Sequence, residues 1–251
     1  MVEIIMHGCN GRMGQMITNI LKDDLDINIV AGVDIAGEAN SGYPVFRDID
    51  DCDVKADCII DFGSAKAVSK VIKYSVKNNI PLVECTTGLS DDQLEEIREA
   101  SKKVAILKSA NMSLGINVLQ KVLKEISRVL YDSDFDVEIV EKHHRMKLDA
   151  PSGTALALAD SVNEALDNKL EYVYDRSQVR QKRDGKELGI SAVRGGTIVG
   201  DHDVIFAGQD EVITFSHRAY SRAVFAKGAI EAARFLKGKA AGFYTMSDVI
   251  G

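Results

Sequence analysis

The chain has 251 residues, 45% of them hydrophobic and 27% charged, which suits a packed core in one large or two small domains and excludes a disordered chain. Its net charge of −7 argues against nucleic acid as the main partner, because phosphate binding needs a basic face. Cys9, Cys52, Cys58 and Cys85 form no C-x-x-C pair, so neither a zinc ribbon nor a thioredoxin-like site is suggested, and no metal is expected.

The first half reads as alternating strands and helices. Val2 to Met6 is strand-like and opens the chain without the basic segment and apolar stretch of a secretory signal. A glycine-rich turn follows, then a helix over Arg12 to Leu21 with Met13, Met16, Ile17, Ile20 and Leu21 on one face. Further apolar runs cover Ile27 to Val33, Asp57 to Phe62, Leu82 to Cys85 and Val104 to Lys108. Helical spacing separates the later runs, over Ser64 to Asn78 and from a capping box at Ser90 to Gln93 as far as Lys102. Strands this apolar, spaced by helices, imply a parallel sheet covered on both faces: a doubly wound α/β fold.

After Asn111 the pattern changes. Ser113 to Leu130 is a long amphipathic helix, Asp136 to Val140 a strand, and Thr154 to Leu166 a helix beyond a polar loop. Gly189 to Ser216 carries short alternating strands, with Gly195-Gly196 and Gly208-Gln209 as turns. This is a second, α+β domain with a mixed or antiparallel sheet, placed at 113–217. Arg222 to Leu236 is helical again and available to return to the first domain, placed at 1–112 plus 218–251. No window approaches the ~20 apolar residues of a membrane span, so a cytoplasmic protein without a membrane partner is expected.

Gly8-Cys9-Asn10-Gly11-Arg12-Met13-Gly14 sits between the first strand and the first helix. Glycines at such a turn let the backbone approach a pyrophosphate, whose charge then faces the helix N-terminus. Gly8 is assigned the tight turn, Gly11 the close approach and Gly14 the helix-to-strand packing; the spacing is G-x-x-G-x-x-G, not the commoner G-x-G-x-x-G. Asp34 ends the second strand, 20 residues after Gly14, where an acid can accept from the adenine ribose. Three glycines can also be merely a turn, but strand, helix and acid all fall in place. A carboxylate repels a 2′-phosphate by about 1 to 4 kcal/mol at ~4 Å, and Ile35 and Ala36 follow Asp34 with no arginine, although Arg12 lies in the loop. NADH is therefore expected to serve at least as well as NADPH.

His143-His144-Arg145-Met146-Lys147 is the densest cationic cluster in the chain, and it precedes Asp149-Ala150-Pro151-Ser152-Gly153-Thr154, which opens a helix. Imidazoles, an ammonium, a hydroxyl and free backbone N–H groups suit the carboxylates of a small anionic substrate. A histidine or lysine there can supply the proton that completes a hydride reduction. The plainer alternative is a solvated basic loop. His7 reads as a core or near-cofactor residue, His202 and His217 as structural, and Cys85 as packing or cofactor-lining.

These motifs resemble the dihydrodipicolinate (4-hydroxy-tetrahydrodipicolinate) reductase family of the diaminopimelate branch of lysine biosynthesis, over essentially the whole chain. Glu138 to Ala155 looks like the family's E-x-x-E-x-H-H-x-x-K-x-D-A-P-S-G-T-A pattern. Supporting stretches are the glycine loop, Thr86-Thr87-Gly88, Ala110 to Gly115, Arg194 to Gly200 and His217 to Arg222. The resemblance implies NADH or NADPH as cofactor, a small dicarboxylate substrate and a homotetramer assembled through the second domain. It implies His143 as acid/base residue and Lys147 as second proton donor or cationic partner, with His144, Ser152, Gly153 and Thr154 on the substrate carboxylates. It places Gly8, Cys9, Asn10, Gly11, Arg12, Met13 and Asp34 on the adenosine and pyrophosphate, and Cys85, Thr86, Thr87, Ser109, Ala110, Asn111 and Met112 on the nicotinamide side. Two positions depart from the family's habit: Cys85 stands where glycine is usual, and Gly63 follows Asp61-Phe62 where threonine or serine is usual. Other readings are a different two-domain dehydrogenase of an amino-acid pathway, such as a semialdehyde dehydrogenase, and an NADH-sensing regulator. The first needs a reactive cysteine. The second needs a partner module, and no basic helix-turn-helix pattern is evident.

Overall fold

The computed structural model describes residues 1–37, 42–177 and 180–251, and its chain divides into two compact units, Met1–Ser113 with Ala223–Gly251, and Leu114–Arg222. The first unit opens with β1 (Val2–His7), α1 (Arg12–Leu21), β2 (Ile27–Val33), β3 (Val45–Phe46), a 3₁₀ turn at Ile49–Asp51 and β4 (Cys58–Asp61). It continues with α2 (Ala65–Asn78), β5 (Leu82–Glu84), α3 (Asp91–Ser101) and β6 (Ala105–Lys108). The capping box forms: Ser90 Oγ accepts from the Gln93 N–H and Gln93 Oε1 from the Ser90 N–H.

The second unit holds α4 (Leu114–Tyr131), β7 (Asp136–His143), α5 (Gly153–Ala165), β8 (Glu171–Val173), β9 (Glu187–Arg194), β10 (Gly200–Ala207) and β11 (Val212–Ala219). Its sheet runs β11-β10-β7-β9-β8 and is mixed: β9 pairs in parallel with β7 and β8, while β10 is antiparallel to both β7 and β11. Period-two alternation sends Val137, Ile139, Leu188, Ile190, Val204 and Phe206 into one core with Leu123 of α4 and Leu158 and Val162 of α5. The unit extends to Arg222, past the expected 217, so the whole of β11 stays with its sheet.

The chain then returns to the first unit through α6 (Ala223–Leu236), β12 (Gly242–Tyr244) and α7 (Met246–Ile250). All seven strands of that unit's sheet are parallel, in the order β12-β6-β5-β4-β1-β2-β3. One face, with Ile5, Val33, Ile59, Leu82 and Ile106, packs beneath Val68, Val71 and Ile72 of α2 and Ile97 of α3. The helices α1 and α6 lie together, and α6 crosses β1, β4, β5 and β6. The strand order reverses between β1 and β4, and at such a switch point the carboxyl ends of the strands leave a crevice for ligands. Five elements had no sequence signal: β3, β8, β12 and the 3₁₀ turn at Ile49–Asp51, with two or three residues each, are too short to show a period, and α7 is barely one turn.

Candidate active site

The candidate residues fall into two groups, one in each unit. In the first unit all of them stand at the carboxyl edge of the parallel sheet. Gly8 has φ +77°, and a methyl group there would lie 2.7 Å from the Phe62 carbonyl oxygen. On Gly14 a methyl would run into the Gly8 oxygen and the Cys9 backbone, so this glycine lets α1 close on the loop itself. Gly11 caps α1 without a side-chain hydrogen bond, and no acid stands in the first turn, which leaves the helix N-terminus open to an anion. Asp34 is held by two backbone amides: Oδ2 accepts from the Asn10 N–H at 3.1 Å and Oδ1 from the Ala36 N–H at 3.0 Å. Asn10 in turn donates from Nδ2 to the Gly37 oxygen at 2.8 Å, so the glycine loop and the turn after β2 are laced together. The glycine turn, the open helix end and the acid together fit a dinucleotide. Cys9, Thr86 and Met112 are buried, so among the first unit's candidates these three present little side-chain surface to a cofactor.

Cys85, Thr86 and Thr87 follow β5, and Ser109 to Met112 follow β6, on the same edge. Beneath them runs a feature that the sequence did not announce. In register, His7 pairs with Asp61, Asp61 with Glu84 and Glu84 with Lys108, so the last rung of four adjacent strands carries four ionisable side chains on one face. His7 Nδ1 is 2.6 Å from Asp61 Oδ1, which also accepts from the Gly63 N–H at 2.7 Å. Glu84 accepts from the Thr86 N–H at 2.7 Å, and Lys108 donates to the Thr86 oxygen. Asp61 and Glu84 are both fully buried, and Glu84 is pushed up to about 9, first by burial and then by the Asp61 charge. The departure at Gly63 has its reason here: a methyl at 63 would lie 2.5 Å from His7 Cε1, so a threonine or serine would collide with the imidazole. Burial, Glu84 and Asp61 also hold the Cys85 thiol well above its ordinary pKa.

In the second unit, β7 continues through His143, because β9 and β10 pair with it on both sides beyond the expected end at Val140. The face that buries Val137 and Ile139 therefore goes on to bury Glu141 and His143. Such burial costs free energy unless every polar atom is matched. Glu141 is matched on all sides: His143 Nδ1 lies at 2.6 Å, Arg194 forks onto both oxygens at 2.7 and 2.6 Å, and the Ser152 N–H donates at 3.0 Å. Burial alone would raise the Glu141 pKa, but Arg194 and His143 hold it below the usual carboxylate value. His143 falls below its ordinary value, chiefly by burial; Glu141 opposes the shift, and the charges of Lys147 and Arg194 deepen it. His202 crosses the His143 ring edge-on at 5.1 Å, and burial together with the His143 charge lowers it to about 4. The Ser152 hydroxyl accepts from the Ala155 N–H as the N-cap of α5 and lies 3.1 Å from His202 Nε2.

Lys147 reaches Asp149 at 2.9 Å, and the Asp149 carboxylate also takes the Gly153 N–H at the start of α5. His143, Lys147, Ser152, Gly153 and Thr154 are thus gathered between the end of β7 and the start of α5, and His144 follows His143 in the same loop with its Nδ1 buried and unpartnered. Glu141 and Arg194 are the residues to which the sequence reading gave no role. The i, i+2 spacing of Glu141 and His143 on a strand signals a shared face, whereas the register that puts Arg194 beside His143 has no local signal. Among the described residues no His, Cys, Asp and Glu group could hold a metal, and no helix is long and apolar enough to cross a membrane.

Comparison with known proteins gives this geometry a family. Residues 2–112 match the model for the N-terminus of dihydrodipicolinate reductase and residues 115–250 the model for its C-terminus. The chain is 51% identical to a 4-hydroxy-tetrahydrodipicolinate reductase of Caldanaerobacter subterraneus, over all of this chain and 98% of that protein. It is 52% identical to the protein of the same name from Clostridium tetani, over all of this chain and 97% of that one. Among solved structures, a dipicolinate-bound dihydrodipicolinate reductase from Paenisporosarcina sp. TG-14 shares the fold with a TM-score of 0.79 at 23% identity, covering 98% of this chain and 97% of the other. With both halves matched and full-length relatives at such identity, the chain belongs to the dihydrodipicolinate reductase family.

Proposed function

We propose that this chain is a cytoplasmic NAD(P)H-dependent 4-hydroxy-tetrahydrodipicolinate reductase, which reduces the hydroxylated ring or its dehydrated form to tetrahydrodipicolinate in the diaminopimelate route to lysine. Full-length similarity to reductases of that name supports the activity, and the buried Glu141–His143–Arg194 cluster beside the N-terminus of α5 carries the mechanism. The bound nicotinamide supplies the hydride. Gly8 to Met13 and Asp34 would hold the adenosine and pyrophosphate, and the segments after β5 and β6 the nicotinamide.

His144, Lys147 and the α5 N-terminus at Gly153 and Thr154 take the substrate carboxylates. Ser152, buried with its N–H on Glu141 and its hydroxyl on the Ala155 N–H, holds that helix end in place rather than touching the substrate. Lys147 and the Gly153 N–H are engaged by Asp149 in the free protein, so a substrate carboxylate competes with that side chain. His143 is neutral at pH 7 in the free protein, given its depressed pKa. A dicarboxylate nearby favours the imidazolium, as any opposite charge within about 4–6 Å does. The proton then sits on Nε2 while Nδ1–H stays on Glu141, which makes His143 an acid only when substrate is present. A semialdehyde dehydrogenase would need a thiolate, and the raised pKa of Cys85 opposes that reading.

Homotetramer assembly through the second unit is part of the proposal. Both helices of that unit's core pack on one sheet face, and the strands present Val140, Ile205 and Val193 on the other.

The test is a coupled assay in which pyruvate and aspartate semialdehyde are condensed by a synthase while NADH or NADPH oxidation is followed. Synthase-dependent oxidation is expected, with His143→Ala and Lys147→Ala each lowering turnover about 10²- to 10⁴-fold while NADH binding persists. No oxidation with either cofactor, from folded protein that binds NADH, would overturn the substrate assignment.

A further inference from the structure

The turn after β2 holds an arginine that sequence order conceals. In the parallel pair of β2 and β3, Val33 is matched with Phe46, so Asp34 and Arg47 each stand one residue past the last rung at the same edge of the sheet. The Asp34 N–H donates to the Phe46 oxygen at 2.9 Å and locks that alignment. Gly37, three residues after Asp34, closes the turn through its N–H to the Asp34 oxygen, and the Arg47 guanidinium lies over it: a methyl on Gly37 would be 2.9 Å from Nε and 3.2 Å from Nη2. Arg47 is exposed and makes no ion pair with any described residue. Its neighbours Asp48 and Asp50 are both engaged by Lys70.

An acid at the end of the second strand accepts from the adenine ribose, and a nearby arginine accommodates the 2′-phosphate of NADP. Here both Asp34 oxygens already face backbone amides, from Asn10 and Ala36, which turns the carboxylate toward the glycine loop and tempers its repulsion of a phosphate. A guanidinium next to it offers the planar fork that suits a phosphate. We infer that Arg47 is the specificity-determining residue for the 2′-phosphate and admits NADPH to a site whose Asp34 serves NADH. The inference rests on the dinucleotide reading of the glycine loop. Arg12, the other arginine near that loop, occupies the first position of α1 on the pyrophosphate side.

The test measures binding alone, by titrating NADH and NADPH against nicotinamide fluorescence and 2′,5′-ADP against ADP by calorimetry. Arg47→Ala is expected to weaken NADPH and 2′,5′-ADP roughly 10- to 100-fold while NADH and ADP stay within about twofold, and Arg47→Lys to restore part of the loss. Arg12→Ala should weaken all four alike. Unchanged NADPH binding in Arg47→Ala, an equal loss of NADH and NADPH, or a phosphate-selective loss in Arg12→Ala instead would overturn the role of Arg47. Failure of the unaltered protein to bind any of the four would overturn the crevice reading and this inference together.

Discussion

Between pH 4.5 and about 9 the Glu84 side chain holds a proton in the folded protein that it would release on unfolding. The folded state then binds more protons than the unfolded one, so stability falls as pH rises through that window and levels off above it. Glutamine at 84 keeps an acceptor for the Thr86 N–H, offers an amide donor toward the buried Asp61 carboxylate and never ionises. Glu84→Gln should therefore match the parent near pH 4 and exceed it by about 2–4 kcal/mol at pH 8 in urea unfolding. A difference that does not grow with pH would show that the folded protein does not hold Glu84 protonated. The same rung accounts for Gly63, whose missing side chain makes room for His7. Residue identity at three distant points of the chain is tied together by one row of strand ends.

At the scale of elements, the clearest local signals are also the most modular. Ser90 and Gln93 close a reciprocal cap on α3, a helix whose buried contacts are Ile97, Ala100 and Ser101. Ser90→Ala should cost about 1 kcal/mol in thermal or urea unfolding and leave the Michaelis constants for both substrates unchanged. An altered Michaelis constant would mean that α3 positions the Cys85 to Gly88 segment before it. The β7 strand behaves otherwise. Its alternation keeps one face buried from Val137 to His143, but the chemistry along that face changes from apolar to ionic halfway. Hydrophobic periodicity follows a strand only while its buried side is apolar, which is why the expected end at Val140 falls short of the observed one.

At the scale of the molecule, the open face of the second unit's sheet bears on assembly. Val140 and Ile205 are half-buried there, on adjacent strands, opposite the face that meets α4 and α5. A Val140→Glu, Ile205→Glu double variant should sediment as a smaller species than the parent if this face joins the subunits, with its far-ultraviolet circular dichroism retained. Unchanged sedimentation at micromolar concentration would remove the face from the interface.

The sequence by itself determined the order of strands and helices, the switch from parallel α/β to mixed α+β, the glycine turn with Asp34, and the basic segment that precedes α5. Each of these is a short-range property, written in periodicity, turn chemistry or spacing within some 20 residues. Only the tertiary structure decided that Arg194 forks onto Glu141 53 residues away, that His7, Asp61, Glu84 and Lys108 share a rung, and that Arg47 lies over Gly37. Strand register makes these neighbours. It is set by the packing of whole sheets, so no single segment carries it.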